Sequence, residues 1–287
     1  MLIPTVGISM NTGIIPFCIC ISPRETLPMS DDFSHRFGGT QRLYGNDAVE
    51  KLRNAHVGVI GIGGVGSWAA EALARSAIGN ITLFDMDDIC VSNVNRQIHA
   101  LDGQIGRLKV DAMADRIKAI NPSVNCNAVM GFVTEKNVDE HLNKPFDYII
   151  EATDSVKAKA AIIAYCKRNK IKIISSGGAG GQVDPTQIQI ADLSRTIQDP
   201  LLAKVRNLLR RNYNFSRNTK RKFGVDCVFS TEQLSYPQAD GGVCKQKPST
   251  DGPVRLDCAT GFGASTCVTA TFGLFAASRV LSKLTSN

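Results

Sequence analysis

The first apolar run with strand character is His56-Val-Gly-Val-Ile, which passes into a glycine turn and then a helical stretch from Ser67 to Arg75. Ile81-Thr-Leu-Phe predicts the next strand. Leu108 to Ile120 repeats its apolar positions at helical spacing and closes at Asn121-Pro122, and a strand follows near Val124 to Val129. Phe146-Asp-Tyr-Ile-Ile predicts a further strand, Val156 to Asn169 a helix, and Ile171 to Ile174 a strand again. Strands alternating with helices indicate an α/β protein with a doubly wound, mostly parallel sheet. Gln187 to Ala191 alternates polar and apolar residues, which suits a late antiparallel strand. Past Asp192 the alternation stops. The expected organisation is a core over 31–191 and a basic, loop-rich extension over 192–287 that ends in a C-terminal helix. Residues 1–30 are expected to be a disordered extension or an upstream start, because the polar lead-in begins only at Met29.

Composition sharpens this picture in three places. A chain of 287 residues with 43% hydrophobic and 21% charged residues buries a core without staples, which excludes a disordered chain and a mini-protein scaffold. Its nine cysteines include no C-x-x-C pair, which argues against a disulfide framework and a paired-cysteine zinc site and points to a reducing, cytoplasmic setting. The net charge of +7 is local: Lys204, Arg206, Arg210, Arg211, Arg217, Lys220, Arg221 and Lys222 fall between Pro200 and Val225 with no acidic residue among them. Without them the chain holds 25 basic against 26 acidic residues. The apolar run before Arg24 has no preceding cation, so no export signal is read. Ala259 to Ser278 carries no charge and is long enough on paper to span a bilayer, but its glycines and hydroxyl residues favour a buried helix over membrane association through 259–281.

Gly61-Ile-Gly63-Gly64-Val-Gly66 follows a strand and opens a helix, the setting in which backbone amides and a helix N-terminus cradle phosphate. Asp85 closes the next predicted strand, 19 residues after Gly66, where a carboxylate accepts hydrogen bonds from ribose hydroxyls. Together these predict a Rossmann-like nucleotide site. Arg96 and Lys109 downstream, and Asp154 at the end of the Phe146 strand, add cations for a triphosphate and a carboxylate for magnesium. A hydride carrier needs neither. Taken singly, each cation is an ordinary surface charge, and Asp154 alone is a helix cap.

Gly-x-Gly-Gly-x-Gly, Asp85-x-Asp87, Ser92-Asn93-x-Asn95-Arg96-Gln97, Lys109 and Thr153-Asp154 resemble the adenylating core shared by ubiquitin-activating enzymes and the bacterial activators of sulfur carriers, over about residues 36–190. Arg36-Phe-Gly-Gly-Thr-x-Arg42-Leu-Tyr-Gly, the Ser175 to Gln187 stretch, Thr196-Ile-Gln-Asp-Pro, Gly224-Val-Asp-Cys-Val-Phe-Ser and Cys258-Ala-x-Gly-Phe-Gly look like the tRNA threonylcarbamoyladenosine dehydratase family. The resemblance implies a homodimer with one ATP site per core. It implies that Gly61, Gly63, Gly64 and Gly66 hold phosphate, Asp85 the ribose, Asn93, Arg96 and Lys109 the triphosphate, and Asp154 magnesium. Arg42 resembles an arginine that reaches the neighbouring subunit's nucleotide. A monovalent cation and a partner from a sulfur-acceptor or cysteine-desulfurase system stay open. Zinc is not implied, and Ser155 replaces the asparagine that often follows the aspartate.

The implied reaction adenylates the threonyl carboxylate of the modified adenosine next to the tRNA anticodon, after which the carbamoyl group of the same side chain closes onto the acyl carbon and expels AMP. Closure is intramolecular, so proximity replaces a dedicated nucleophile. Cys227 and Cys244 are expected to be structural or incidental rather than thioester-forming. Arg96 and Lys109 are expected to contact only ligand and solvent. Arg210, Arg211, Arg217, Lys220, Arg221 and Lys222 are expected to follow an RNA backbone while Tyr213, Phe215 and Phe223 stack on loop bases. Gly177 to Gly181 either admits the nucleotide or base or is an ordinary turn. Two alternatives remain: an activator of a small sulfur-carrier or ubiquitin-like protein, and a nucleotide-sensing RNA-binding scaffold without turnover.

Overall fold

The computed structural model describes residues 29–238, 240–246 and 262–286. Residues 1–28 and the start of the Cys258 motif lie outside the described residues. Two helices, α1 (Met29–Tyr44) and α2 (Asn46–Asn54), precede β1 (His56–Ile60), α3 (Gly66–Arg75), β2 (Asn80–Asp85), α4 (Lys109–Ile120), β3 (Asn125–Met130), α5 (Val138–Leu142), β4 (Tyr148–Glu151), α6 (Val156–Arg168) and β5 (Lys172–Ser176). The chain continues through β6 (Ile188–Asp192), α7 (Pro200–Asn212), β7 (Asp226–Ser230), the short β8 (Tyr236–Pro237) and β9 (Val243–Cys244), and α8 (Thr266–Thr285).

The main sheet has the order β3-β2-β1-β4-β5-β7-β6, parallel throughout except for β6, which runs antiparallel to β7. Side chains alternate along each strand, so Val57, Val59, Ile81, Leu83 and Ile150 pack with α3, α4 and α8 on one face. Ile60, Phe84, Ile149 and Ile173 pack with α5, α6 and α7 on the other. Apolar strands buried on both sides are what a parallel sheet requires. The long apolar helix expected near the C-terminus is α8, whose Val268, Phe272, Ala276, Ala277 and Val280 are buried against the sheet and α3. No helix among the described residues is long and apolar enough to cross a membrane.

The region after 192 departs from the expected loop-rich extension. Asp199 caps α7 by accepting from Leu202 N at 2.8 Å, and Leu202, Val205 and Leu209 bury one helical face. Asp226-Cys-Val-Phe-Ser then enters the sheet between β5 and β6, so the sheet runs across the expected boundary at 191. The strand is only five residues long and directly follows a charged loop, so periodicity alone gave it too little signal.

Candidate functional site

The turn between β1 and α3 is held from both sides. Gly61 sits at φ +88°, and a Cβ there would lie 2.9 Å from Ala152 O, so the turn abuts the end of β4. A Cβ on Gly66 would lie 1.8 Å from Gly61 O, which only glycine avoids. Around Gly63 the space is open. Asp85, buried at the end of β2, accepts from Ile62 N at 2.6 Å and from Asp87 N at 2.9 Å. A carboxylate offers about four acceptor positions, so about two remain for a ligand's hydroxyls. Asp85 thus fixes the glycine turn from the carboxyl end of β2.

Arg96 lies over the turn, its Cγ 3.2 Å from where a Cβ on Gly64 would be. Its guanidinium donates to Ser92 O at 2.7 Å and Asn95 Oδ1 at 3.0 Å. Trp68 Nε1 on α3 donates to Arg96 O at 3.0 Å, and Asn95 Nδ2 donates to Ala264 O just before α8, so the loop is tied to two helices. Asn93 is buried and its Oδ1 accepts from Cys90 N at 3.1 Å, which shapes the 91–93 turn. Lys109, at the start of α4, is buried and its Nζ lies 2.7 Å from Asp87 Oδ2. The expectation that Arg96 and Lys109 contact only ligand and solvent is therefore wrong: each is pre-positioned by the protein.

Asp154 is exposed on the loop after β4, two residues beyond Ala152, whose backbone abuts Gly61. The capping of α6 falls instead to Ser155, whose Oγ accepts from Ala158 N. Among the described residues no hydrogen bond or ion pair engages the Asp154 carboxylate. Its loop rests on a buried network that the sequence reading missed. Glu151 and Lys159, both fully buried, pair at 2.6 Å; Ser175 Oγ donates to Glu151 Oε2, Lys159 Nζ donates to Ser176 O at 2.8 Å, and Glu151 Oε1 accepts from Thr153 N and Oγ1. A lysine inside the Ala-Ile run of α6 was the available signal. The structure thus brings Gly61, Gly63, Gly64, Gly66, Asp85, Asn93, Arg96, Lys109 and Asp154 to one carboxyl edge of the sheet, where open α/β sheets take their ligands.

Other expected residues lie elsewhere. Arg42 is exposed in the last turn of α1, and no hydrogen bond or ion pair among the described residues joins it to the glycine turn. Arg210, Arg211, Arg217, Lys220, Arg221 and Lys222 sit at the end of α7 and in the loop entering β7, at the amino edge of the sheet. The three aromatic residues are not free to stack on bases. Phe223 is buried edge-on to Phe215, Arg210 covers its face, and the Tyr213 hydroxyl donates to Glu135 at 2.8 Å. They build the core because the loop must close onto α6 and α7. In the 177–181 loop, Phe262 fills the space beside Gly180 and Gly181, while Gly178 N donates to Asp199. Cys227 is buried within β7 and burial pushes its thiol well above the usual range, the opposite of an activated nucleophile.

A glycine turn wedged between strand and helix, with a cation laid over it and a buried carboxylate at the end of the next strand holding it, defines a Rossmann-like α/β protein built to bind a phosphorylated nucleotide. The chain belongs to the ThiF family, whose model it matches over residues 39–287. It is 57% identical over 256 residues to the tRNA threonylcarbamoyladenosine dehydratase of Escherichia coli strain K12, covering 89% of this chain and 96% of that protein. The Haemophilus influenzae protein of the same name is 58% identical over 254 residues, 88% of this chain and 95% of its own. Among solved structures, E. coli tRNA N6-threonylcarbamoyladenosine dehydratase, TcdA, in complex with ATP superposes with a TM-score of 0.80 at 52% identity, over 90% of this chain and 97% of that one.

Proposed function

We infer that this protein is an ATP-dependent tRNA-modifying enzyme that dehydrates and cyclises threonylcarbamoyladenosine. The observation that carries the reading is Arg96 laid over Gly64 of the glycine turn, with Lys109 held by Asp87 at the same carboxyl edge of the sheet, in a chain whose relatives at 57% and 58% identity bear that activity in their names. The threonyl carboxylate attacks the α-phosphorus of ATP, forming an acyl–phosphate bond and releasing pyrophosphate. The carbamoyl group of the same side chain then attacks the acyl carbon, and AMP leaves with the oxygen that was the carboxylate's. Arg96 and Lys109 stabilise the charge that builds on the phosphates, already aimed by Ser92, Asn95 and Asp87. Asp85 receives the ribose. Asp154, exposed at the same edge, would supply a hard oxygen ligand for magnesium, which held there would neutralise phosphate charge.

In a homodimer, exposed Leu43 and Tyr44 beside Arg42, and Val91 and Val94 beside Arg96, would be covered by the second copy, with Arg42 directed at its nucleotide. We place the enzyme in the cytosol, in keeping with nine cysteines that lack paired spacing. The basic residues from Arg210 to Lys222 contact the tRNA backbone. Mixing the protein with ATP, magnesium and tRNA bearing threonylcarbamoyladenosine tests the reading. AMP release with conversion of the nucleoside to its cyclic form, read by mass spectrometry under alkali-free conditions, is the expected result. Adenylation driven by a carrier-protein tail, or ATP binding with no AMP on adding this tRNA, would replace it with one of the alternatives.

A further inference from the structure

The amino edge of the sheet carries a second cationic feature that the basic run in the sequence did not reveal. Lys167 and Arg168 end α6, and the loop from Tyr213 to Phe223 folds against them, leaving a cleft of about 350 Å³ lined by Lys167, Arg168, Tyr213, Ser216 and Lys222. Neither Arg168 nor Lys222 has an ion-pair partner among the described residues, and Lys167 Nζ donates only to the neutral carbonyl of Gly224, at 3.1 Å. Glu135 stands at the rim, where it accepts from the Tyr213 hydroxyl. Three cations thus converge on one concave site whose walls are fixed by the packing of Phe215 on Phe223.

We propose that this cleft holds backbone phosphates of the tRNA, making Lys167 and Arg168 part of its docking surface; this rests on the tRNA reading above. The fold supplies the path. Asp199, bonded to Gly178 at the carboxyl edge, starts α7, and α7 ends at the cleft. Its 13 residues span about 20 Å. Exposed Lys204 and Arg211 lie along it. A base engaged at the glycine turn would therefore leave its stem descending α7 onto Lys167 and Arg168. ATP is too short to reach both edges, and although Phe215 and Phe223 help to line the cleft they are packed against each other, which leaves its three cations to select an anionic partner.

The test compares tRNA binding, across salt, of the full chain, the Lys167→Gln/Arg168→Gln double variant, and a Lys118→Gln/Lys283→Gln variant with the same net charge. We expect the α6 variant to bind at least tenfold more weakly at about 0.1 M salt and to lose about 1.5 from the slope of log K against log salt, two phosphate contacts' worth. Its ATP affinity should equal that of the wild type, and the charge-preserving Lys167→Arg/Arg168→Lys variant should bind tRNA normally. Affinity and slope matching the Lys118/Lys283 control overturn the proposal while leaving the tRNA reading intact. Failure of the unmodified protein to bind this tRNA or release AMP overturns both.

Discussion

Two glycines three residues apart in the same turn should fail in opposite ways. A Cβ on Gly66 would sit 1.8 Å from Gly61 O, so the turn must open by more than 1 Å to reach even a tight contact, at a cost of about 3 kcal/mol or more. A Cβ on Gly63 meets nothing within 4 Å, and the residue does not need positive φ. Gly63→Ala should therefore keep or raise stability, by about 0.5 kcal/mol, through the stiffer unfolded chain. The open space beside Gly63 is where phosphate should lie, and a methyl group there displaces a charge-assisted backbone hydrogen bond worth about 1.5–3 kcal/mol, or roughly 10- to 150-fold in Kd. Thermal melts with and without ATP separate the two effects. At an ATP concentration about 1,000-fold above Kd the wild type gains about 4 kcal/mol, and a 100-fold weaker variant gains only about 1.4 kcal/mol. Gly66→Ala should melt early in both conditions. An unaltered ATP-induced shift in Gly63→Ala would refute the placement of phosphate over this turn, and an early melt of its apo form would refute the geometry.

Further outcomes follow from the surrounding contacts. Lys109→Ala should cut ATP–pyrophosphate exchange by about 100-fold or more while costing about 1 kcal/mol in urea unfolding, because its Asp87 partner is 54% exposed and rehydrates readily; losses of equal free energy in both assays would make Lys109 structural. Lys159→Met should destabilise by about 3–5 kcal/mol, since it strands Glu151 without a counter-charge, and adding Glu151→Gln should restore part of the urea midpoint. A double variant no better than the single one would show that the pair is not coupled. His99 is buried with neither ring nitrogen hydrogen-bonded among the described residues, and burial together with Lys109 and Arg116 lowers its pKa to about 4. Below the unfolded value of 6.5 the unfolded chain takes up a proton that the folded chain refuses, so stability falls with pH through that window, by about 2 kcal/mol between pH 7.5 and 5. His99→Leu should flatten that part of the Tm profile; an identical slope in the variant would assign the acid sensitivity to other groups.

Local pattern carried the phosphate site because a glycine turn between an apolar strand and a helix is written in consecutive residues, and Asp85 follows at the distance one more helix and strand impose. The same holds for the alternation along β1 to β5 and for the antiparallel β6, whose polar–apolar rhythm has the period of a half-exposed strand. Which elements meet is not written that way. Periodicity says that a face is apolar, not what covers it, so the insertion of β7 between β5 and β6 was invisible, and Phe215 and Phe223 read as free aromatics when they close a core. The Lys159–Glu151 pair and the Asp87 hold on Lys109 join residues 8 and 22 positions apart through loops that only the closed sheet brings together. The charge run of the sequence likewise became a surface with a location only when α7 carried it to the amino edge, because a helix fixes the distance and direction between its ends while composition fixes neither.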